Sequence, residues 1–185
     1  MMQGKTITLT YPWDINGYKP YTEFHLSVDD VGFCMHIVVQ ETEPRRLCTE
    51  HQQYVHYDSC VEWFANFLPE SCDRYFNFEV NAIGTMYAAF RKNRADFQLL
   101  TMEDVRMMHI AVEVHEDRWE VRYIVPFALI RKYIPGYEYQ PGRMIRTNFY
   151  KCGDETKYPH YGIWKPYDQV QPEFHAPELF GEMVI

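Results

Sequence analysis

In RYFNFEVN, residues 74–81, Phe76, Phe78 and Val80 fall on one side of an extended chain, and Tyr75, Asn77, Glu79 and Asn81 on the other. The same two-residue period splits CVEWFANF, 60–67, into Val61, Trp63 and Ala65 against Glu62, Phe64 and Asn66. In MIRTNFYK, 144–151, it sets Ile145, Thr147 and Phe149 against Arg146, Asn148 and Tyr150. Each segment thus has an apolar face suited to a core and a second face that mixes amides, charges and rings. Alternation bounded by turn residues predicts strands at Thr22–Val28, Phe33–Gln40, Cys60–Phe67, Arg74–Asn81, Thr85–Phe90, Arg106–Val114, Trp119–Val125 and Met144–Lys151. One helix of about two turns is predicted at Phe127–Tyr133, directly after Pro126. Regularly spaced strands with at most one short helix give an all-β fold, an antiparallel β-sandwich or jelly roll, immunoglobulin-like in its layer architecture.

Composition sharpens this picture. No repeat, low-complexity tract or flexible linker divides the chain, so residues 1–185 read as a single domain. Aromatics make up 17% of residues, which also favours sheets because flat rings fit a pleated surface. A formal net charge of -8 without any Lys/Arg run argues against a nucleic-acid partner. The longest apolar runs, such as Ile124–Ile130, are too short to span a bilayer, which argues against membrane insertion. The start, MMQGKTITLTYPW, has no basic patch followed by an apolar stretch. The chain as given therefore reads as cytoplasmic, or as exported if a leader was removed.

Classical motifs for catalysis or zinc are missing from the sequence. Cys34, Cys48, Cys60, Cys72 and Cys152 are odd in number and contain no CxxC pair, which points to free thiols in place of a zinc ribbon or a complete disulfide framework. His51, His56, His109, His115, His160 and His175 are scattered without HExxH spacing. Asp58-Ser59-Cys60 lacks a GxSxG elbow and reads as a turn entering a strand.

The mixed outer face suits sugars, which present hydroxyls around apolar C–H faces and so need flat rings together with planar amide or carboxylate groups. Other readings fit the same pattern. The face could be an ordinary solvated sheet surface. Glu62 and Glu79 could be the carboxylate pair of a glycoside hydrolase, or the polar face could meet another protein.

Taken together, DSCVEWF (58–64), RYFNFEVNAIGT (74–85), RTNFYKCGD (146–154), PHYGIWKP (159–166) and PEFHAPELFGEMVI (172–185) resemble the family 9-like carbohydrate-binding modules, which are DOMON-like β-sandwiches. The resemblance implies non-catalytic carbohydrate binding in support of polysaccharide degradation, with a chain end clamped between two aromatic rings. On that pattern Glu62 is the carboxylate, Asn148 the amide and Trp164 one clamping ring. The second ring is expected just before Asp58, where His56 and Tyr57 stand in place of tryptophan. The family's arginine falls at Arg91 or Arg94, while Asn77, Glu79 and Tyr150 join the candidate site by their outward parity. Trp13, Trp63 and Trp119 are assigned to the core, and no residue is assigned a catalytic role. Calcium occurs in family members; its ligands are unassigned here, and the sugar and the oligomeric state are left open.

Overall fold

The computed structural model describes residues 4–185. Its strands are β1 (Lys5–Thr8), β2 (Thr22–Val28), β3 (Gly32–Val39), β4 (Cys60–Asn66), β5 (Tyr75–Asn81), β6 (Met86–Arg91), β7 (Phe97–Leu99), β8 (Ala111–Val114), β9 (Trp119–Pro126), β10 (Met144–Cys152), β11 (Tyr161–Ile163) and β12 (Gly181–Val184). They form two antiparallel sheets, one ordered β1-β2-β3-β9-β8 and the other β11-β10-β4-β5-β6-β7. The long strand β10 carries two short partners end to end on one side: β12 along Met144–Thr147 and β11 along Tyr150–Cys152.

Between the sheets lies the core the alternation predicts. Phe76, Phe78, Val80 and Phe149 are fully buried there, and Trp63 lies parallel to Phe149 with ring centroids 6.1 Å apart. Burying side chains of this size stabilises the fold by roughly 1.5–3 kcal/mol each. Trp63 and Trp119 are buried in this core and the five cysteines are free thiols, as expected, whereas Trp13 is buried in a separate cluster on the outer face of the second sheet, against Tyr167 and Phe174. The predicted helix forms as α2 (Phe127–Tyr133), with Pro126 at its N-cap and Phe127, Leu129 and Ile130 buried against the sandwich.

One predicted strand is shortened. Residues 106–110 do not extend β8, because Thr101 starts a five-residue helix, α1 (Met102–Arg106), with a reciprocal capping box to Asp104. Asp104 is itself buried and accepts from Lys132 Nζ and Tyr133 Oη, each at 2.7 Å. That anchoring outweighs the weak alternation of the segment. The strands β1, β7, β11 and β12, of three or four residues each, are too short to show a period of two.

The two sheets treat their outer faces differently. In β2, β3 and β9 buried and partly exposed residues alternate, whereas β5 and β6 have no exposed side and β4 almost none. Two long segments, 41–59 and 164–180, cross the outer face of the second sheet and cover it. At one end of the core, Lys151 is fully buried, with Nζ 3.3 Å from Glu41 Oε2 and 2.7 Å from His160 Nε2. Glu41 also accepts from Trp119 Nε1 at 3.0 Å and from Ser59 Oγ at 2.9 Å, so through Lys151 on β10 and Trp119 on β9 it ties the first covering segment to both sheets.

Candidate functional site

Register places the polar side chains of three strands in rows. Tyr150 pairs with Glu62, Glu62 with Glu79, and Glu79 with Tyr87, so these four form one line across the outer face. The neighbouring line runs Asn148, Phe64, Asn77 and Ala89, and beyond it Tyr75 faces Arg91, which faces Phe97. Directly opposed side chains have Cβ atoms about 4.5–5.5 Å apart, so Glu62 and Glu79 are immediate neighbours.

The covering segments leave a gap over these lines. The first is held by Asp58, which accepts from Arg45 Nη1, from Cys48 N at 2.8 Å and from Asn81 Nδ2 at 2.9 Å. The second is held by Tyr150, whose Oη donates to Phe174 O at 3.1 Å and whose ring stacks on Phe174 at 4.1 Å. Between them lies a cavity of roughly 350 Å³, within the usual range for small-molecule sites. Glu62, Glu79 and Cys152 contribute to its floor. Tyr54, His56 and Tyr87 line it from one side and Phe174 and His175 from the other, with Arg91, Arg94 and Phe97 toward one end and Asp154 and Tyr161 toward the opposite end.

The floor combines an acid, an anion and a cation. Glu62 is 3% exposed and accepts from the Cys152 thiol at 3.0 Å; burial, reinforced by Cys152 and Glu79, raises its carboxyl well above the ordinary range. Glu79 accepts from Asn77 Nδ2 at 2.6 Å and lies 3.9 Å from His56 Nδ1. Burial alone would lower His56, but Glu79 and Asp154 lift it above its usual value. Arg91 is 3% exposed and its guanidinium donates to neutral acceptors: Nε to Asn77 Oδ1 at 2.7 Å, Nη2 to Tyr87 Oη at 3.2 Å and Nη1 to Arg94 O at 3.3 Å. It also lies 4.6 Å from the Phe97 ring centroid. Asn77 thus joins anion to cation, its amide nitrogen on Glu79 and its oxygen on Arg91.

Of the residues proposed from sequence, Glu62, Glu79, Arg91 and Arg94 meet in this cavity, so both candidate arginines reach it. Asn77 is buried and fixes Glu79 and Arg91 from behind. Tyr57 packs 4.5 Å from His56, and it is His56 that lines the cavity. Tyr150 is fully buried and backs the Phe174 wall. Asn148 is also fully buried; its amide donates to Lys165 O and accepts from Lys165 N, both at 3.0 Å, which pins the loop after β11.

Trp164 does not line the cavity. The pairing of Ile163 with Tyr150 turns Ile163 outward, so the next side chain falls toward the core, where Trp164 meets Phe149 edge-on at 5.6 Å. The flanking rings are instead Tyr54, Tyr87 and Phe174, none of which was singled out from sequence. Tyr87 alone carried a usable signal, since alternation within β6 puts it on the same side as Ala89 and Arg91. The others lie on segments whose path over the sheet has no period. Among the described residues the clustered metal-ligand candidates are Cys60, Glu62 and Cys152. Two sulfurs and one carboxylate do not suit calcium, which takes six to eight oxygens.

A two-sheet antiparallel sandwich with a ring-flanked, carboxyl-floored cavity on one sheet is the architecture of a ligand-binding module. The sequence model of carbohydrate-binding family 9 matches residues 4–185, and the chain belongs to that family. Among solved structures, it is similar to a Bacteroides uniformis protein provisionally described as carbohydrate-binding, with a TM-score of 0.87, 26% identity and coverage of 98% of this chain and 86% of that one. A family 9 carbohydrate-binding module from Caldicellulosiruptor kristjanssonii shares the fold. Its complex with cellotriose gives a TM-score of 0.63 at 11% identity over 98% of this chain and 82% of that one. Its complex with glucose gives 0.60 at 12% identity over 96% and 83%. No match was found among curated proteins.

Proposed function

We propose that residues 1–185 act as one carbohydrate-binding module and that the cavity over Glu62 and Glu79 holds a sugar without cleaving it. The observation that carries this reading is the Glu79–Asn77–Arg91 chain set in a cavity flanked by Tyr54, Tyr87 and Phe174. Neighbouring sugar hydroxyls both donate and accept. A carboxylate acceptor and a guanidinium donor held a fixed distance apart by one amide can engage two of them at once. The rings offer apolar surface to C–H faces, worth roughly 25 cal/mol per Å² removed from water. A protein-docking face would instead present an exposed apolar patch in place of a recessed polar floor.

Glu62 and Glu79 also recommend themselves as an acid and a nucleophile. Both, however, rise from directly paired positions of one floor, whereas glycoside hydrolysis needs carboxyls flanking the scissile bond. Reducing-sugar release from a polysaccharide panel should therefore equal the buffer blank; release abolished by Glu79→Gln would make the protein a hydrolase.

Glucose and cellotriose, the sugars in the structurally similar Caldicellulosiruptor complexes, are the first probes for calorimetry, followed by a glycan array. Phe174→Ala and Glu79→Gln should each weaken binding by about 1–3 kcal/mol with the fold retained. Wild-type affinity in both variants would remove the cavity from the binding site.

A further inference from the structure

Cys60 and Cys152 stand directly opposite each other on β4 and β10, and Glu62 follows two residues along β4 on the same face. One ligand atom from each of the three lies within 4.8 Å of the others. All three side chains are buried, yet Cys152 and Glu62 line the cavity, so the cluster opens onto solvent-accessible space. Its direct polar links run within the cluster: the Cys152 thiol donates to Glu62 Oε1 at 3.0 Å and is also hydrogen-bonded with Cys60, whereas the sulfur contacts to backbone, Cys60 to Val61 O at 3.7 Å and Cys152 to His56 O at 3.8 Å, are long. A structural thiol in a sealed core needs no neighbouring thiol and carboxyl at an open cavity wall.

We infer that Cys60, Cys152 and Glu62 form a binding site for a thiophilic divalent cation, zinc being the best fit, with a fourth coordination position facing the cavity. Tetrahedral zinc takes sulfur at about 2.3 Å and carboxylate oxygen at about 2.0–2.2 Å, which sets sulfur–sulfur and sulfur–oxygen separations of roughly 3.4–3.8 Å. The cluster reaches that geometry by rotating side chains on two fixed strands: the 3.0 Å contact opens by about half an ångström and nothing need close by more than about one. Three anionic ligands around one dication leave a single negative charge, at the end of the cavity where Asp154 and Tyr161 lie. Three protein ligands with the fourth position left to water or a ligand is the arrangement of open zinc sites, whereas closed structural sites carry four protein ligands. The cavity mouth supplies the entry path such a site requires.

Metal binding at this cluster is independent of the sugar reading, because the cation should bind with no sugar present. It also makes a link between them: zinc would take Glu62 from the floor and place a Lewis-acidic position where a hydroxyl or water can sit.

Reduced, chelator-stripped full-length protein titrated with cobalt(II) should develop one equivalent of thiolate-to-cobalt charge-transfer absorption with intense tetrahedral ligand-field bands, and zinc should displace them. Cys60→Ser and Cys152→Ser should each weaken metal binding on the order of 100-fold or more, whereas Cys34→Ser and Cys72→Ser should leave it unchanged. Should the buried serines unfold the protein, Glu62→Gln serves instead: both thiols stay and the cobalt spectrum should shift and weaken. No charge-transfer band in folded wild type, a band that persists in the Cys60→Ser/Cys152→Ser double variant, or a Cys60–Cys152 disulfide formed in place of metal binding each overturns the inference. Calorimetry with glucose and cellotriose on the stripped protein reports separately on the sugar site.

Discussion

Replacing Lys151 with methionine tests the buried ion pair between Lys151 and Glu41. Lys151 and Glu41 are 0% and 5% exposed, and the lysine's other partners, His160 Nε2 and Cys152 O, are uncharged. Lys151→Met leaves the Glu41 carboxylate with Trp119 Nε1 and Ser59 Oγ as donors and no cation. Removing one partner of a buried pair costs about 3–5 kcal/mol, because a charge is left stranded in a low dielectric. For a chain of this size each kcal/mol moves the melting temperature by roughly 2–4 °C, so the variant should melt roughly 6–20 °C lower. Glu41→Gln added to Lys151→Met removes the stranded charge, and the double variant should be more stable than Lys151→Met alone. The sign of the pH dependence follows from the same atoms. In wild type, burial would raise Glu41, but Lys151 and the two hydrogen bonds hold it below 4.5, so its contribution is complete above that value and lost as pH falls. Burial and Lys151 together push His160 down to about 3. Without Lys151 both groups accept protons more readily in the folded state, and His160 can then replace the missing cation. The cost of Lys151→Met should therefore be smaller at about pH 5 than at about pH 8. Urea denaturation followed by circular dichroism at the two pH values measures it. A cost below about 1 kcal/mol at the higher pH, or strictly additive single variants, would refute the account of Lys151 as the counterion that holds this end together.

Three further outcomes are expected. His175 is also pushed down to about 3 by burial, so with an unfolded value near 6.5 its contribution is complete above that pH and lost progressively toward 3; His175→Phe should flatten the acid side of the stability curve seen in urea midpoints. Trp164→Ala should lower stability by about 1–3 kcal/mol, less than a fully buried tryptophan would, and leave sugar affinity unchanged in calorimetry, since the ring packs on Phe149 and does not line the cavity. Asn77→Leu should weaken sugar binding although Asn77 does not line the cavity, because it frees both Glu79 and Arg91; an affinity equal to wild type in folded protein would show that the amide bridge does not position them.

The strands and the core were legible in the sequence because the side-chain period of a strand is local. Phe76, Phe78, Val80 and Phe149 could be assigned inward from their immediate neighbours, and outward parity brought Glu62, Asn77, Glu79 and Asn148 into view together. Parity gives the face a residue lies on, and nothing about what covers that face. Asn77, Asn148 and Tyr150 were assigned the correct side, yet segments 41–59 and 164–180 cross above them and turn all three into buried supports. Trp164 was misplaced for a related reason: its side depends on the three-residue pairing of β11 with β10, too short to leave a period in the chain. The rings that flank the cavity, Tyr54 and Phe174, come from those covering segments, whose paths are set by long-range anchors such as Asp58 and Tyr150. The meeting of Cys60 with Cys152 belongs to the same class. A separation of more than ninety residues contains no spacing motif, and only the antiparallel register of β4 against β10 makes the two thiols neighbours. Local periodicity thus determined which residues form the two faces, and chain crossings and strand register decided which of them meet at a site.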